Sequence, residues 1–236
     1  MVQEKITAIV LAAGRGARME SKIQKQYMVL DGKPLIYYAL LAFENSAVDH
    51  IVLVTGAGEE EYCREEIVKP YDFSKVTAIV SGGKERYHSV YEGLKAAEGS
   101  DYVLIHDGAR PCVTPKVIQA AIEGVREAKA CVVGMPVKDT IKIADDLEYA
   151  VSTPNRSKLW LIQTPQAFSY SLVWQAYEAL FEREDNLEGI TDDAMVVEQM
   201  TAQRVKLIRG SYKNIKVTTP EDLTIAEKFL QKRIDN

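Results

Sequence analysis

The chain has 236 residues, a formal net charge of −5 and a composition that is 47% hydrophobic and 27% charged, ordinary values for a folded globular protein. That length buries a sizeable core and needs no more than one domain, here taken as residues 1–236. The acidic balance excludes a general nucleic-acid binder, which needs a broad basic face, and no apolar run approaches a membrane span.

Met1 to Lys5 lacks the form of a signal peptide. Cys63, Cys112 and Cys131 are odd in number and widely spaced, so reduced thiols in a cytoplasmic protein are expected, and the paired spacing of a zinc site is missing.

In chain order, the first signal is also the strongest. An apolar run, Ile6 and Ala8 to Ala13, ends abruptly at Gly14 and Gly16. Arg15, Arg18, Lys22 and Lys25 follow, opposed only by Glu20. A buried strand running into a glycine turn lets backbone N–H groups approach a ligand, and the local cations say that the ligand is an anion. The bland alternative is a surface turn with solvated charges, but its place at the end of a buried strand favours a polyphosphate-binding loop. Met19 stands where a dinucleotide fingerprint wants its third glycine, and Met19-Glu20 occupies the Lys-Ser/Thr position of a Walker loop, so neither motif applies.

Beyond the loop, strand and helix patterns alternate. Pro34 opens a helix over PLIYYALLAFEN. His50 to Val54 reads as a strand, Glu59 to Val68 as a helix and Val76 to Val80 as a strand. SGGKER leads into a helix with Tyr87, Val90, Leu94 and Ala97 on one face. Tyr102 to His106 is a strand ending in DGARP, Pro115 begins a helix, and Ala130 to Val137 returns as a strand.

The rhythm breaks over residues 138–158. Ile141 and Ile143 alternate with polar neighbours, ADDL turns the chain, and Tyr149 and Val151 alternate again. This pattern predicts a two-stranded arm with too few apolar residues for a core of its own, so it should lie on something, such as a second subunit. A strand over Leu159 to Gln163, a helix bearing Leu172 to Leu180 and a short helix from Asp192 come next. Strands at Val205 to Ile208 and Asn214 to Val217 then precede a last helix capped by Thr219.

This order predicts an α/β fold, an open and mostly parallel sheet with helices on both faces plus the protruding β-arm. Ligands of such sheets sit at the carboxyl ends of strands, where AAGRGAR, SGGKER and HDGARP all fall. Asp107, just past a strand, suits a Mg²⁺ site of one carboxylate plus phosphate oxygens; alternatively it opens an Asp-Gly turn. Arg18 and Lys25 supply fixed positive charge of the kind that phosphoryl and nucleotidyl transfer require. Lys216 is either a solvated lysine at a strand end or a third such cation. Gly82, Gly83, Arg86 and Ser89 open a helix whose N–H groups suit phosphate or the polar edge of a base. Thr140, Arg156, Thr164, Thr191 and Asp192 are weaker candidates, and His106 reads as a strand residue with a satisfied ring. No Ser-His-Asp or Cys-His nucleophile pattern is legible.

Taken together, LAAGRGARM, KQY, GGKER with Ser89, HDGARP, PVKDT, TPNR with LW, QTPQAF, ITDDA and NIKVTTPEDL resemble 2-C-methyl-D-erythritol 4-phosphate cytidylyltransferases, in order and from near residue 6 to near residue 230. The LAAG loop is shared with sugar-nucleotide pyrophosphorylases at large; PVKDT, QTPQ, ITD and NIKVT are more specific. The resemblance implies that Arg18, Lys25 and Lys216 serve the reaction, with Arg18 and Lys25 at the CTP α-phosphate. It implies that Ala13, Gly14, Gly16, Gly82, Lys84, Arg86 and Ser89 shape the nucleotide site, and that Asp107 helps hold Mg²⁺ or another divalent cation. It further implies that Arg110, Thr164, Thr191 and Lys216 line a polyol-phosphate site completed by Thr140 and Arg156 from the partner's arm in a homodimer. Gln24 stands where the family usually has proline, and Lys84 where it usually has an acidic or polar residue. Two alternatives remain: an enzyme joining CTP to ribitol 5-phosphate, and a nucleotide-binding module without catalysis. The second should lose the cations at the reacting phosphate, and this chain keeps them.

Overall fold

In a computed structural model, the structure describes residues 4–14, 24–183 and 189–234. Apolar stretches of about six residues form the strands β1 (Ile6–Ala12), β4 (His50–Thr55), β5 (Val76–Ser81), β6 (Tyr102–Asp107) and β7 (Ala130–Pro136), while β2 (Val29–Leu30) and β3 (Lys33–Pro34) make a small hairpin. The arm contributes β8 (Ile143–Ala144) and β9 (Ala150–Ser152), and β10 (Trp160–Ser169) and β11 (Lys206–Arg209) complete the set. The main sheet has seven strands in the order β11-β7-β10-β6-β1-β4-β5. Only β10 runs antiparallel to its neighbours, β6 and β7.

Period-two alternation sorts the strand residues onto two helical layers. On one side Ala8, Val10, Leu53, Leu104 and Val133 pack against α1 (Leu35–Glu44), α2 (Glu60–Tyr62) with its π-helical continuation Cys63–Val68, and α4 (Pro115–Ala128). On the other, Ile9, Val52, Val103, Ile105 and Phe168 meet α3 (Arg86–Ala96), α5 (Tyr170–Phe181) and α6 (Asp193–Met200). Each fully buried aliphatic or aromatic side chain stabilises this double core by ~1.5–3 kcal/mol. The last helix, α7 (Pro220–Ile234), covers Leu30, Leu35, Ala109, Cys112 and Val217 beside the carboxyl end of β6. The three cysteines are buried thiols, and none of the described helices is long and apolar enough to cross a membrane.

Three elements differ from the sequence expectation. Pro34 belongs to the β2–β3 hairpin and caps α1 rather than opening it. β10 extends to Ser169, with a register shift between Ile162 and Gln166 that includes the cis peptide Thr164–Pro165. Residues 214–217 are not a strand. Their polar groups are taken locally, since Val217 N–H donates to Ala109 O at 2.8 Å and Arg110 Nη1 to Asn214 O at 2.8 Å. Lys216 therefore rides on a loop across the end of β6, pinned further by the Asp222 carboxylate, which accepts the Thr218 and Thr219 N–H groups at 2.8 and 3.0 Å.

The arm is a two-stranded sheet apart from the main one, closed by Asp145, whose carboxylate accepts the Leu147 and Tyr149 N–H groups at 3.0 and 2.9 Å. Leu147 and Tyr149 at its tip are 77% and 71% exposed, so its apolar side chains find no core in their own chain.

Candidate active site

The carboxyl ends of β1, β4, β5 and β6 surround a cleft of about 830 Å³ lined by Ala13, Gly14, Lys25, Gly82, Lys84, Arg86, Ser89, Asp107 and Lys216. Three sequence stretches far apart in the chain thus share one site, as the ends of parallel strands allow. Their close approach depends on Gly82. A Cβ there would lie 2.5 Å from Ala13 Cβ and 2.6 Å from Ser89 Oγ, so no larger residue lets the β1 and β5 ends meet. Ser89 is buried, and its hydroxyl accepts the Gly83 N–H at 3.2 Å, shaping the turn before α3.

Asp107, the last residue of β6, is the electrostatic centre. Lys216 Nζ stands 2.9 Å from Oδ2, Arg86 Nε 3.3 Å from Oδ1 and Arg110 Nε 4.0 Å from Oδ2. Burial would raise this carboxyl, but Arg86, Lys216 and Arg110 more than offset it and hold it well below the usual carboxylate range. Burial by itself would lower the Arg86 guanidinium, which Asp193 and Asp107 instead raise.

Beneath Arg86 lies a network that sequence reasoning missed. Asp193, with no exposed surface, receives Arg86 Nη1 and Nη2 at 2.8 Å each and the Tyr177 hydroxyl at 2.6 Å. A fork-to-fork pair of this kind fixes orientation as well as charge. Burial, then Asp193, pushes the Tyr177 hydroxyl well above its ordinary value, so it stays a donor. Gln166 Oε1 on β10 accepts the Asp193 and Ala194 N–H groups at 3.0 and 2.9 Å, satisfying the first donors of α6, while Asp192 caps the helix through Met195 N–H at 2.9 Å. The doubled aspartate of ITDDA was the available signal, and only its capping half is readable without a structure. At the β6 end, then, three cations face two carboxylates, which leaves a positive surplus for an incoming anion.

The remaining expected residues lie in different places. Arg15, Gly16, Arg18 and Lys22 lie outside the described residues. Thr164 is buried below the cleft, accepting the Asp107 N–H at 3.1 Å and bonding His106 Nδ1 at 3.0 Å. The His106 ring also meets Arg110 O at 3.4 Å, and burial lowers its pKa to about 3, so it is a neutral structural group. Arg110 sits beside Asp107, whereas Thr191 is exposed at the start of α6. Thr140 and Arg156 are exposed at the base of the arm and do not line the cleft, with Arg156 Nη1 donating to Lys138 O at 2.7 Å.

No group of three His, Cys, Asp or Glu among the described residues forms a ready metal cage. The donor set fits instead a hard divalent cation that arrives with phosphates: one ionised carboxylate, Asp107, with the remaining ligands from phosphate oxygens and water.

Fixed cations around a strand-end carboxylate, with glycine backbone placed for phosphates, are the equipment of a nucleotidyltransferase. The model of the family IspD, 2-C-methyl-D-erythritol 4-phosphate cytidylyltransferase, matches residues 6–232, and the chain belongs to that family. It is 52% identical over 232 residues to the 2-C-methyl-D-erythritol 4-phosphate cytidylyltransferase of Lachnoclostridium phytofermentans, covering 98% of this chain and 99% of that one. It is 54% identical over 226 residues to the protein of the same name from Lachnospira eligens, covering 95% and 99%. Among solved structures, 4-diphosphocytidyl-2C-methyl-D-erythritol synthase from Anaerococcus prevotii superposes with a TM-score of 0.83 at 35% identity, covering 97% of this chain and 96% of that one.

Proposed function

We propose that this protein transfers CMP from CTP to 2-C-methyl-D-erythritol 4-phosphate, giving 4-diphosphocytidyl-2-C-methyl-D-erythritol and pyrophosphate for isoprenoid precursors by a route without mevalonate. The observation that carries this reading is the convergence of Lys216, Arg86 and Arg110 on Asp107 in the cleft that Gly14 also lines, in a chain of this family. An oxygen of the sugar's phosphate attacks the α-phosphorus in line, a P–O–P link forms, and the bond from the α-phosphorus to the β-phosphate oxygen breaks. The nucleophile arrives already ionised, so the protein need not supply a general base. Its task is to align the two phosphates and to stabilise charge gathering between them.

Lys25 and Lys216, together with Arg18, stand for that charge. Ala13, Gly14, Gly16, Gly82, Lys84, Arg86 and Ser89 form the nucleotide's bed, and Arg86 also holds Asp107 in place. Mg²⁺ or another divalent cation, bound by Asp107 and phosphate oxygens, would neutralise part of the triphosphate charge. Arg110 and Thr191 face the polyol phosphate, Thr164 supports that site from below through the Asp107 N–H, and Thr140 and Arg156 reach the site of a partner subunit across a homodimer joined by the arm. The buried thiols suit a reducing cytoplasm.

The test is pyrophosphate release from CTP and Mg²⁺ with each polyol phosphate in turn. Release should require 2-C-methyl-D-erythritol 4-phosphate. Faster turnover with ribitol 5-phosphate would reassign the substrate, and no release with either would remove the catalytic reading.

A further inference from the structure

Lys25 is carried by a single 3-10 turn, Lys25–Tyr27, closed by Tyr27 N–H to Gln24 O at 2.9 Å. One such turn cannot hold itself in water, because nucleating it fixes several dihedrals for one hydrogen bond. Something outside the turn must therefore set where the Lys25 ammonium stands, 3.3 Å from Val217 O at the cleft wall. The residues on either side of Lys25 and Gln26 lead to one carboxylate. Tyr27 donates its hydroxyl to Glu59 Oε2 at 2.9 Å, and the Gln24 side-chain amide donates to Glu59 Oε1. Glu59 is the residue before α2, yet it makes no side-chain cap bond to that helix. It turns instead to these two partners and to Gly56 N–H at 3.2 Å. Gly56 makes the room, since a Cβ there would lie 2.7 Å from Glu59 Oε2. Buried Gln26 ties the same turn to Ala12 O at the end of β1.

We infer that Glu59 is a positioning residue: by clasping Gln24 and Tyr27 it fixes the ammonium of Lys25 relative to the phosphates, a role that rests on the function proposed for Lys25 above. The backbone of Gln24 points the same way. Its φ of −62° and ψ of 138° are values that a proline ring imposes or tolerates, so stiffness at this position can come from a ring or from a clasped side chain. Gln24 uses the side chain.

The experiment compares Glu59→Ala, Gln24→Gly and Gln24→Pro with the wild type, reading kcat and KM for CTP, thermal midpoint and hydrogen exchange at the amides of residues 25–28. Glu59→Ala and Gln24→Gly should each lower kcat by about tenfold or more with KM for CTP little changed, since small displacements of a catalytic group act on the transition state. Gln24→Pro should keep several-fold more kcat than Gln24→Gly, and in the Glu59→Ala background it should recover part of the loss. A merely structural glutamate would lower the thermal midpoint without that recovery. Losses in Glu59→Ala and Gln24→Gly that multiply independently in the double variant would overturn the clasp, as would wild-type kcat in Gln24→Gly. Exchange is read without substrate. Faster exchange at 25–28 in Glu59→Ala supports the clasp even if the wild type proves inactive with CTP, and unchanged exchange refutes it whatever the reaction is.

Discussion

The end of β6 and the arm answer the same physical demand in opposite ways. Around Asp107 most polar groups are met from within the chain, although Arg110 Nε is buried without a hydrogen bond, 4.0 Å from Oδ2. Lys216 and Arg86 hold the carboxylate, Asp193 holds Arg86, and Tyr177 holds Asp193 through a 2.6 Å hydrogen bond. In the arm the backbone is satisfied by a tight turn at Asp145, but Ile143, Leu147, Tyr149 and Val151 remain exposed. A cluster whose carboxylates are held by several partners is positioned before any ligand comes, which electrostatic catalysis requires. An apolar surface that a chain cannot bury within itself is a request for another surface. One region meets most of its polar demand within the chain; the other leaves its apolar side chains uncovered.

The sharpest way to break the first half of that contrast is to remove a cation of the same cleft to which the proposed function gives the reacting phosphate. Lys25→Ala should lower kcat by about 10²–10³, the scale for one donor to a developing charge. Steady-state kinetics separates this from simple binding, because a raised KM with unchanged kcat would mean that Lys25 holds only ground-state phosphate. Next in size is Asp193→Asn. It strips the nearer of two counter-charges from a partly buried guanidinium, Asp107 being the other, and should cost about 3 kcal/mol in urea unfolding, the low end for a broken buried pair. It should also depress kcat, since Arg86 Nε then loses the anchor that aims it at Asp107. A loss below about 1 kcal/mol would show that water had replaced the pair.

These two positions also mark how far the sequence is legible. That Lys25 and Asp107 share one cleft was readable because glycines and strand ends are local signals, and parallel order brings strand ends together. Most strand and helix positions followed from periodicity alone. Asp193 was not readable as a partner of Arg86, because a bond spanning 107 residues leaves no trace in spacing. Residues 214–217 misled for a related reason. Their alternation looks like a strand, yet Arg110 and Ala109 take the polar groups that a ladder would need. Glu59 was hidden likewise, since its acidic neighbours suggest a helix start and the side chain faces elsewhere. The catalytic role that resemblance assigned to Arg18, and the polyol-phosphate role it assigned to Thr140 and Arg156 of the arm, stand as proposals.

The second half of the contrast is tested at the arm's tip. Tyr149→Asp, alone or with Leu147→Asp, puts charge onto surface that a partner would cover. Sedimentation should report a shift from dimer to monomer, while the thermal midpoint of the monomer stays put because those side chains touch no core of their own. If Thr140 and Arg156 do serve a partner's site, kcat/KM for the polyol phosphate should fall with dissociation. A fully active monomer would end the shared-site reading.

The smallest effect, from Tyr177→Phe, asks how deeply the region around Asp107 depends on its innermost bond. The change removes one hydroxyl and leaves the ring in its buried place among the residues of α5 and α6. Asp193 keeps both Arg86 contacts and loses only the 2.6 Å hydrogen bond. A hydrogen bond to a charged group contributes about 1.5–3 kcal/mol, and retained packing places the expected loss near the lower figure. Urea unfolding should show it as a lower midpoint with an unchanged slope. Because Arg86 and Asp107 keep their geometry, kcat should move less than twofold in this variant. A tenfold fall with the small stability loss would mean that the tyrosine proton helps set the Asp193 orientation felt at Asp107, and the cluster would then be a relay of positions rather than a static floor.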